Sequence, residues 1–506
     1  MTLKYDVCDR LLRHCKNRPT GKYLGTLDTK LNEYHWTTFA EFKKRMDNFA
    51  KGLDVPQMRL CVCQNEKIAN LIMDVHDLDN SPEFKSQEST RLQYLVLMQR
   101  NESTDRTLLE KRTEKAKIVL LDFDQVMFEG SKQKLMPYML PSADDAYILT
   151  YTSGTTGNPK GVIQTMNMKM TIIRDYLCGP HNLNRLSKSD VYFSFLPYAH
   201  CFEQINMAII TYIGGRTGFI GSDPNQMMRD IAILKPTILS IVSRSFTKLY
   251  MTYYPVVKKK LGDNDKAVTA AVNDKIKQIE RTGNCAAYSK MDPKDEAFSS
   301  VRDAFGGQLR MAYTGASMCL VETYKFFKAA FGIPVQTGYG CTEACGGVTL
   351  TMAEDTELGH VGALSMSTKV KLVSDPEIKS MPFASLGGEV RVKGLNVMKG
   401  YFKDPELTKE AFDENGWLKT GDIGMWDNKG RLCIIDRMKS IFKTSLGLYI
   451  SPEKIEAILS THVSSIIQIM VDGHIDKSKP YAIIFANYSE IYSMFVALSS
   501  FDSFVD

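Results

Sequence analysis

The chain has 506 residues and a mass of 57.1 kDa, too long for one compact core when roughly 150 residues is the loose norm for a domain. An apolar fraction of 44% and a charged fraction of 24% are ordinary for a globular chain, which excludes collagen-like, disordered and disulfide-scaffold classes. Net charge is only +5, and the densest basic run, Lys258-Lys259-Lys260, is followed by Asp263 and Asp265, so it reads as a solvated helix face and not as a nucleic-acid footprint.

Met1 to Lys30 is polar and mixed in charge, unlike a secretory signal. No stretch reaches the ~18 apolar residues of a membrane span; Ile205 to Ile213 reads as a buried core element. Residues 37–53 predict an amphipathic helix, with Thr38 and Glu41 as a capping box and Phe39, Phe42, Met46, Phe49 and Leu53 as its stripe. Arg59 to Val62 is a short strand. From Asp77 to Arg106 the chain is polar and loses period, and Ile118 to Leu121 reads as a buried strand. Ala146 to Tyr151 is a strand that ends in a Gly/Ser/Thr loop. Strands then recur at Val191–Leu196, Thr217–Ile220, Ile238–Val242 and Leu309–Tyr313, separated by helices such as Val321–Ala330, which Gly332 closes. This alternation predicts an α/β domain with a largely parallel sheet. Val268, Val272, Ile276 and Ile279 lie at helical spacing and read as part of a surface helical insertion over 251–300. From Glu389 short strands (Glu389–Val392, Leu432–Ile435) are punctuated by glycines, which predicts a small β-rich subdomain. A helix starts at Ser451 as N-cap with Pro452 in its first turn. The eleven cysteines are scattered without a Cys-x-x-Cys or zinc spacing, and read as buried apolar residues of a reducing compartment.

Four stretches carry chemistry. Tyr151-Thr152-Ser153-Gly154-Thr155-Thr156-Gly157-Asn158-Pro159-Lys160-Gly161 offers backbone N–H groups, hydroxyls and a lysine that suit phosphate oxygens; the alternative is a flexible linker, and the preceding strand favours the phosphate loop. It is not a Walker A loop, because Gly161 follows Lys160. Gln336 to Glu343 could stack a base on Tyr339 and bind Mg²⁺, although alone it is better read as an exposed turn. Asn415–Gly424 and Ile434–Lys443 place Asp422 in a glycine-bounded turn, where it suits ribose hydroxyls, with Arg437 to support it; each alone is more commonly a hairpin and a salt bridge.

In this order the four stretches resemble the adenylate-forming superfamily of acyl-CoA synthetases, luciferases and peptide-synthetase adenylation domains. Ser194 to His200, Leu234 to Thr237, Gly359 to Gly362 and Ile450 to Glu456 narrow the resemblance to the long-chain fatty-acyl-CoA synthetases. It implies an α/β fold with a large N-terminal AMP-binding part of several subdomains, built of mixed and parallel sheets and helices over 1–437, and a small, truncated α+β C-terminal lid over 438–506. It also implies activation of a long-chain fatty acid by ATP and Mg²⁺ to acyl-AMP, then transfer to CoA. Thr152, Ser153, Gly154, Thr155, Thr156, Gly157 and Lys160 would face the pyrophosphate. Gly315, Ala316, Ser317, Gly338, Tyr339 and Gly340 would line the adenine and acyl pocket. Thr342 would meet the α-phosphate, Glu343 would hold Mg²⁺, and Asp422 and Arg437 would hold the ribose. His200 would lie beside the acyl carboxylate, its alternative being a satisfied core histidine. Lys439 would be the hinge of the lid, and Lys443 would approach the site for the thioester step, its alternative being a solvated lysine.

Two departures qualify that expectation. The chain reads as shortened after residue 75, and no lysine follows Tyr488 to match the family's adenylation lysine. The alternative function is therefore a catalytically impaired nucleotide- or acyl-binding pseudoenzyme, or an incomplete gene product. The expected location is cytoplasmic or peripheral on the endoplasmic reticulum or another membrane, not secreted, with no nucleic-acid partner and no protein partner readable.

Overall fold

A computed structural model describes residues 7–52, 60–79, 92–99, 106–134, 142–152, 159–179, 186–282, 296–317, 319–353, 355–374, 387–446, 448–463, 465–474 and 476–489. Contacts divide the chain into two compact units: 1–11, 23–36 and 142–506 form the larger, and 12–22 and 37–141 the smaller.

The larger unit is organised on a nine-stranded sheet. β1 (Lys22–Asp28) and β2 (Glu33–Thr38) stand at one edge, followed by β9 (Arg216–Phe219), β8 (Val191–Ser194), β10 (Ile238–Val242), β11 (Met311–Gly315) and β12 (Val335–Tyr339). All pairings from β1 through β9, β8, β10 and β11 to β12 are parallel, as the strand–helix alternation predicts. β13 (Thr349–Leu350) and β14 (Ala363–Leu364) close the other edge in antiparallel fashion. Both faces are covered, so successive residues of one strand enter different cores. Leu239, Ile241, Ala312 and Phe193 face one core, while Ile238, Met311, Tyr313 and Tyr192 face the other.

The first core is rich in aromatics. Phe327 is fully buried, stacks on Phe246 at 4.3 Å between ring centroids and meets Phe326 and Phe331 edge-on or tilted at 5.3 Å. Phe327→Ala is expected to cost about 3–5 kcal/mol, read as a lower urea midpoint with an unchanged slope. The helix Asp265–Thr282 belongs to this core, with Val268 at 1% and Val272 at 8% exposure. It lies at the surface as expected and covers this core with its apolar stripe; helical spacing identifies the stripe but not what it packs against.

The second core lies under the helices Met166–Cys178 and Cys201–Ile213. A four-stranded antiparallel sheet of β15 (Thr368–Val373), β16 (Gly387–Gly394), β17 (Leu418–Trp426) and β18 (Leu432–Arg437) contributes Val390, Val392, Leu418 and Leu432 to it. This is the β-rich subdomain the glycine punctuation predicts. β6 (Ala146–Thr152) and β7 (Lys160–Thr165) form an antiparallel hairpin whose last pair is Thr152 opposite Lys160. Ser451 is the N-cap of the helix Pro452–His462, but its hydroxyl donates to Asp436, whose carboxylate accepts from the Glu453 amide in the first turn in its place.

The smaller unit contains a parallel sheet of β3 (Leu60–Cys63), β4 (Tyr94–Leu97) and β5 (Val119–Asp122). The capping box forms as expected: the Thr38 amide donates to Glu41 at 2.7 Å and the Glu41 amide to the Thr38 hydroxyl at 3.3 Å. Leu53 lies outside the described residues. The central strand β4 falls inside the stretch read as polar. Its Leu95-Val96-Leu97 are all buried, and such a run is too short to stand out by period. The helix Glu66–Asp79 runs through the point where the sequence reads as shortened, and 80–91 lie outside the described residues. Among the described residues no helix is long and apolar enough to cross a membrane.

Candidate active site

The site is built where β11 and β12 end. In open α/β sheets ligands bind beyond the carboxyl ends of the strands. Here those ends carry Gly315 and Gly338-Tyr339 side by side. A side-chain carbon at Gly315 would stand 2.9 Å from the Gly338 carbonyl oxygen, and one at Gly340 would collide with the Gly346 carbonyl, so both positions need glycine. Ala316 follows with φ of 71°, a left-handed conformation uncommon outside glycine.

Tyr339 and Asp422 are brought together. The Tyr339 hydroxyl donates to Asp422 Oδ2 at 2.6 Å, and Arg437 Nε lies 3.5 Å from Oδ1. Asp422 and Arg437 are cross-strand partners on β17 and β18. Burial pushes the Asp422 carboxyl up, with the Tyr339 hydroxyl and the Arg437 charge opposing. Burial, followed by the Asp422 charge, pushes the Tyr339 hydroxyl well up, so it remains a donor.

Thr342 and Glu343 occupy a short 3₁₀ turn after β12. Glu343 Oε1 accepts from the Tyr401 hydroxyl at 2.8 Å, and the Lys160 ammonium lies 5.6 Å from the Tyr401 ring centroid. Tyr401 therefore links the lysine at the start of β7 to the carboxylate expected to hold Mg²⁺. Nothing in the sequence marks it, because 58 positions separate it from Glu343. Tyr401→Phe removes one hydrogen bond to a charged acceptor, worth about 1.5–3 kcal/mol, and a lower urea midpoint at unchanged slope is expected. Cys201 Sγ is 3.9 Å from the Thr342 hydroxyl. Burial pushes the thiols of Cys201, Cys341 and Cys345 up, so they surround the turn as protonated, unreactive groups.

The other predicted residues are placed less tightly. His200 is the exposed N-cap of the helix Cys201–Ile213, next to Cys201, and is not a core histidine. Thr152 and Lys160 face each other across the hairpin, while Ser153, Gly154, Thr155, Thr156 and Gly157 lie outside the described residues. Lys443, on β19 (Phe442–Lys443), is exposed with its ammonium 5.1 Å from the Tyr449 ring centroid. No contact among the described residues joins it to Glu343 or Asp422.

A cavity opens beside Gly315, Ala316 and Gly338–Gly340. Phe202, Ile205 and Ile209 of the helix Cys201–Ile213 and Tyr192, Ile238 and Tyr313 of the sheet give it mostly apolar walls. Among the described residues no group of three or more His, Cys, Asp or Glu could cage a metal. One carboxylate at Glu343 is instead the donor set that suits Mg²⁺ carried on a nucleotide, which keeps waters and takes phosphate oxygens as ligands.

Residues 57–402 match the family described as AMP-binding enzyme. The chain is 38% identical over 335 residues to the peroxisomal long chain acyl-CoA synthetase 6 of Arabidopsis thaliana, covering 65% of this chain and 46% of the relative. It is 37% identical over 388 residues to the human long-chain-fatty-acid–CoA ligase 6, covering 76% and 54%. The chain thus spans about half the length of the curated relatives it matches. Among solved structures, the adenylation domain of a carboxylate reductase from Mycobacterium chelonae superposes with a TM-score of 0.73 at 19% identity, covering 97% of this chain and 81% of that one. O-succinylbenzoate coenzyme A synthetase from Bacillus subtilis, in complex with ATP and magnesium ion, gives 0.62 at 22% identity, covering 94% and 89%.

Proposed function

The chain belongs to the AMP-binding enzyme family, and from that premise we propose that it is a long-chain fatty acid–CoA ligase acting on a fatty acid, ATP and CoA. The observation that carries this reading is the apolar cavity, whose lining includes the same Gly315–Ala316 and Gly338–Gly340 segments that adjoin the Tyr339–Asp422 pair. An aliphatic tail and a nucleotide can meet there.

In the first step a carboxylate oxygen of the fatty acid attacks the α-phosphorus, and the bond to pyrophosphate breaks. Asp422 accepts the ribose hydroxyls, Tyr339 offers its ring to the base, and Thr342 offers its hydroxyl to the α-phosphate. Lys160 and the loop from Thr152 to Gly157 bind the departing pyrophosphate, and Mg²⁺ held at Glu343 would supply charge neutralisation there. His200 stands at the carboxylate end. In the second step the CoA sulfur attacks the acyl carbon, AMP leaves and the thiol proton is lost; Lys443 belongs to this step. A boundary at 437/438, with Lys439 as the hinge, completes the proposal, and a peripheral position on the endoplasmic reticulum or another membrane suits an aliphatic substrate.

The test is an assay with radiolabelled palmitate, ATP and CoA. ATP-dependent palmitoyl-CoA is expected. If neither palmitoyl-CoA nor palmitate-dependent ATP–pyrophosphate exchange appears, the proposal fails.

A further inference from the structure

Lys169 is only 1% exposed, on the helix Met166–Cys178. Its ammonium meets no carboxylate among the described residues. It donates to two neutral amide oxygens, Oε1 of Gln164 at 3.4 Å and Oε1 of Gln204 at 3.2 Å, and reaches the Cys345 sulfur, whose thiol in turn donates weakly to Gln164 Oε1 at 3.8 Å. Cys345 and Cys201 stand nearby as protonated thiols. Burying an ammonium is costly, and neutral acceptors return only part of that cost. A methionine would fill the same space without it, so packing does not account for the charge.

The far ends of the two amides do. An ammonium has donors only, so the amide atoms facing it must be oxygens, and both NH₂ groups are turned the other way. Gln164 Nε2 donates to the Thr342 carbonyl at 3.0 Å. Gln204 Nε2 donates to the Tyr198 carbonyl at 3.1 Å and to the Thr150 hydroxyl at 3.4 Å. Thr342 opens the turn that carries Glu343. Tyr198 lies two residues before His200 in the bend leading into the next helix. Without the cation, a primary amide of nearly symmetric shape could present its oxygen to either carbonyl and repel it.

We infer that Lys169 is a positioning residue: one buried ammonium fixes the donor direction of Gln164 and Gln204, and through them pins the two segments that bring Thr342–Glu343 and His200 to the reaction centre. The catalytic part of this inference rests on the function proposed above.

The discriminating variant is Gln164→Glu. It turns the contact with Lys169 into an ion pair that offsets the repulsion its second oxygen meets at the Thr342 carbonyl, so the local fold is retained while the donor to Thr342 is lost. With Lys169→Met beside it, three readouts on the full chain test the inference: melting temperature, kcat and KM for palmitate, and amide hydrogen exchange by mass spectrometry. Gln164→Glu is expected to keep its melting temperature yet lose up to about 10²-fold in kcat, with little change in KM and faster exchange over 342–345 only. Lys169→Met should speed exchange over both 342–345 and 198–201. Wild-type kcat in Gln164→Glu, or exchange unchanged in both segments, would overturn the inference. If wild type makes no acyl-CoA, the ligase proposal falls while the exchange pattern still decides whether Lys169 sets the two amides.

Discussion

Replacing Glu343 by glutamine is expected to slow acyl-adenylate formation by about 10²–10³-fold, the loss seen when one preorganised electrostatic group is taken from a transition state. The substitution is close to isosteric, and its amide oxygen can still accept from Tyr401, which now donates to Glu343 at 2.8 Å. Burial, followed by the Glu343 charge, pushes the Tyr401 hydroxyl up, so it remains a donor throughout the working pH range. Geometry is thus retained and only the negative charge is lost. Two consequences separate this from damage to the fold. The melting temperature should be unchanged, and raising the Mg²⁺ concentration should restore part of the rate in the variant but not in wild type. A thermal melt reads the first, and pyrophosphate release from ATP and palmitate reads the second. A variant within a few-fold of wild type at ordinary Mg²⁺ would remove Glu343 from the metal role.

The contrast between Tyr339 and Tyr401 shows how far the site can be read from the chain. Tyr339, Thr342 and Glu343 lie in one motif, and β12 with its following turn presents them together. Tyr401 and Lys169 complete the same site from distant positions, and only the fold brings them there. Local spacing carries no information about a pairing such as Gln164 with Thr342, which closes when β7 packs beside the 3₁₀ turn. The same limit explains β4 and the helix Asp265–Thr282. Three apolar residues in a row do not declare a strand until β3 and β5 pair on either side. A helical stripe does not reveal whether it faces a core. The alternating parallel strands were legible because a sheet covered on both faces demands near-continuous apolar runs, and Ile238 to Val242 is such a run apart from the buried Ser240. His200 went the other way: the adjoining Cys201 meets Thr342 and lines the cavity, whereas the bend at Tyr198 to His200 leaves His200 itself exposed.

Asp422→Asn is expected to separate stability from binding. The side chain is 11% exposed, and burial pushes its pKa up. A group whose pKa is raised on folding stabilises the protein fully below its unfolded pKa, and that contribution is lost as pH rises through the folded pKa. At neutral pH the buried charge is therefore a net cost that neither Tyr339 at 2.6 Å nor the exposed Arg437 at 3.5 Å removes. Asparagine should raise the melting temperature of the ligand-free protein at about pH 7, and the gain should vanish at about pH 4, where more of the aspartate is already neutral. Nucleotide affinity should move the opposite way. An ionised carboxylate can accept from both ribose hydroxyls, whereas an amide has one oxygen and presents donors at its other end. With about 1.5–3 kcal/mol at stake in a hydrogen bond to a charged group, AMP should bind about 10–100-fold more weakly. In wild type the acid-side decline in AMP affinity should set in at a less acidic pH than for an ordinary aspartate, and the variant should lack that limb. Calorimetric titration with AMP across the range, beside thermal melts of the free protein, tests both halves. If the variant melts lower at neutral pH and binds AMP as wild type does, Asp422 is a structural partner of Tyr339 and not the ribose acceptor.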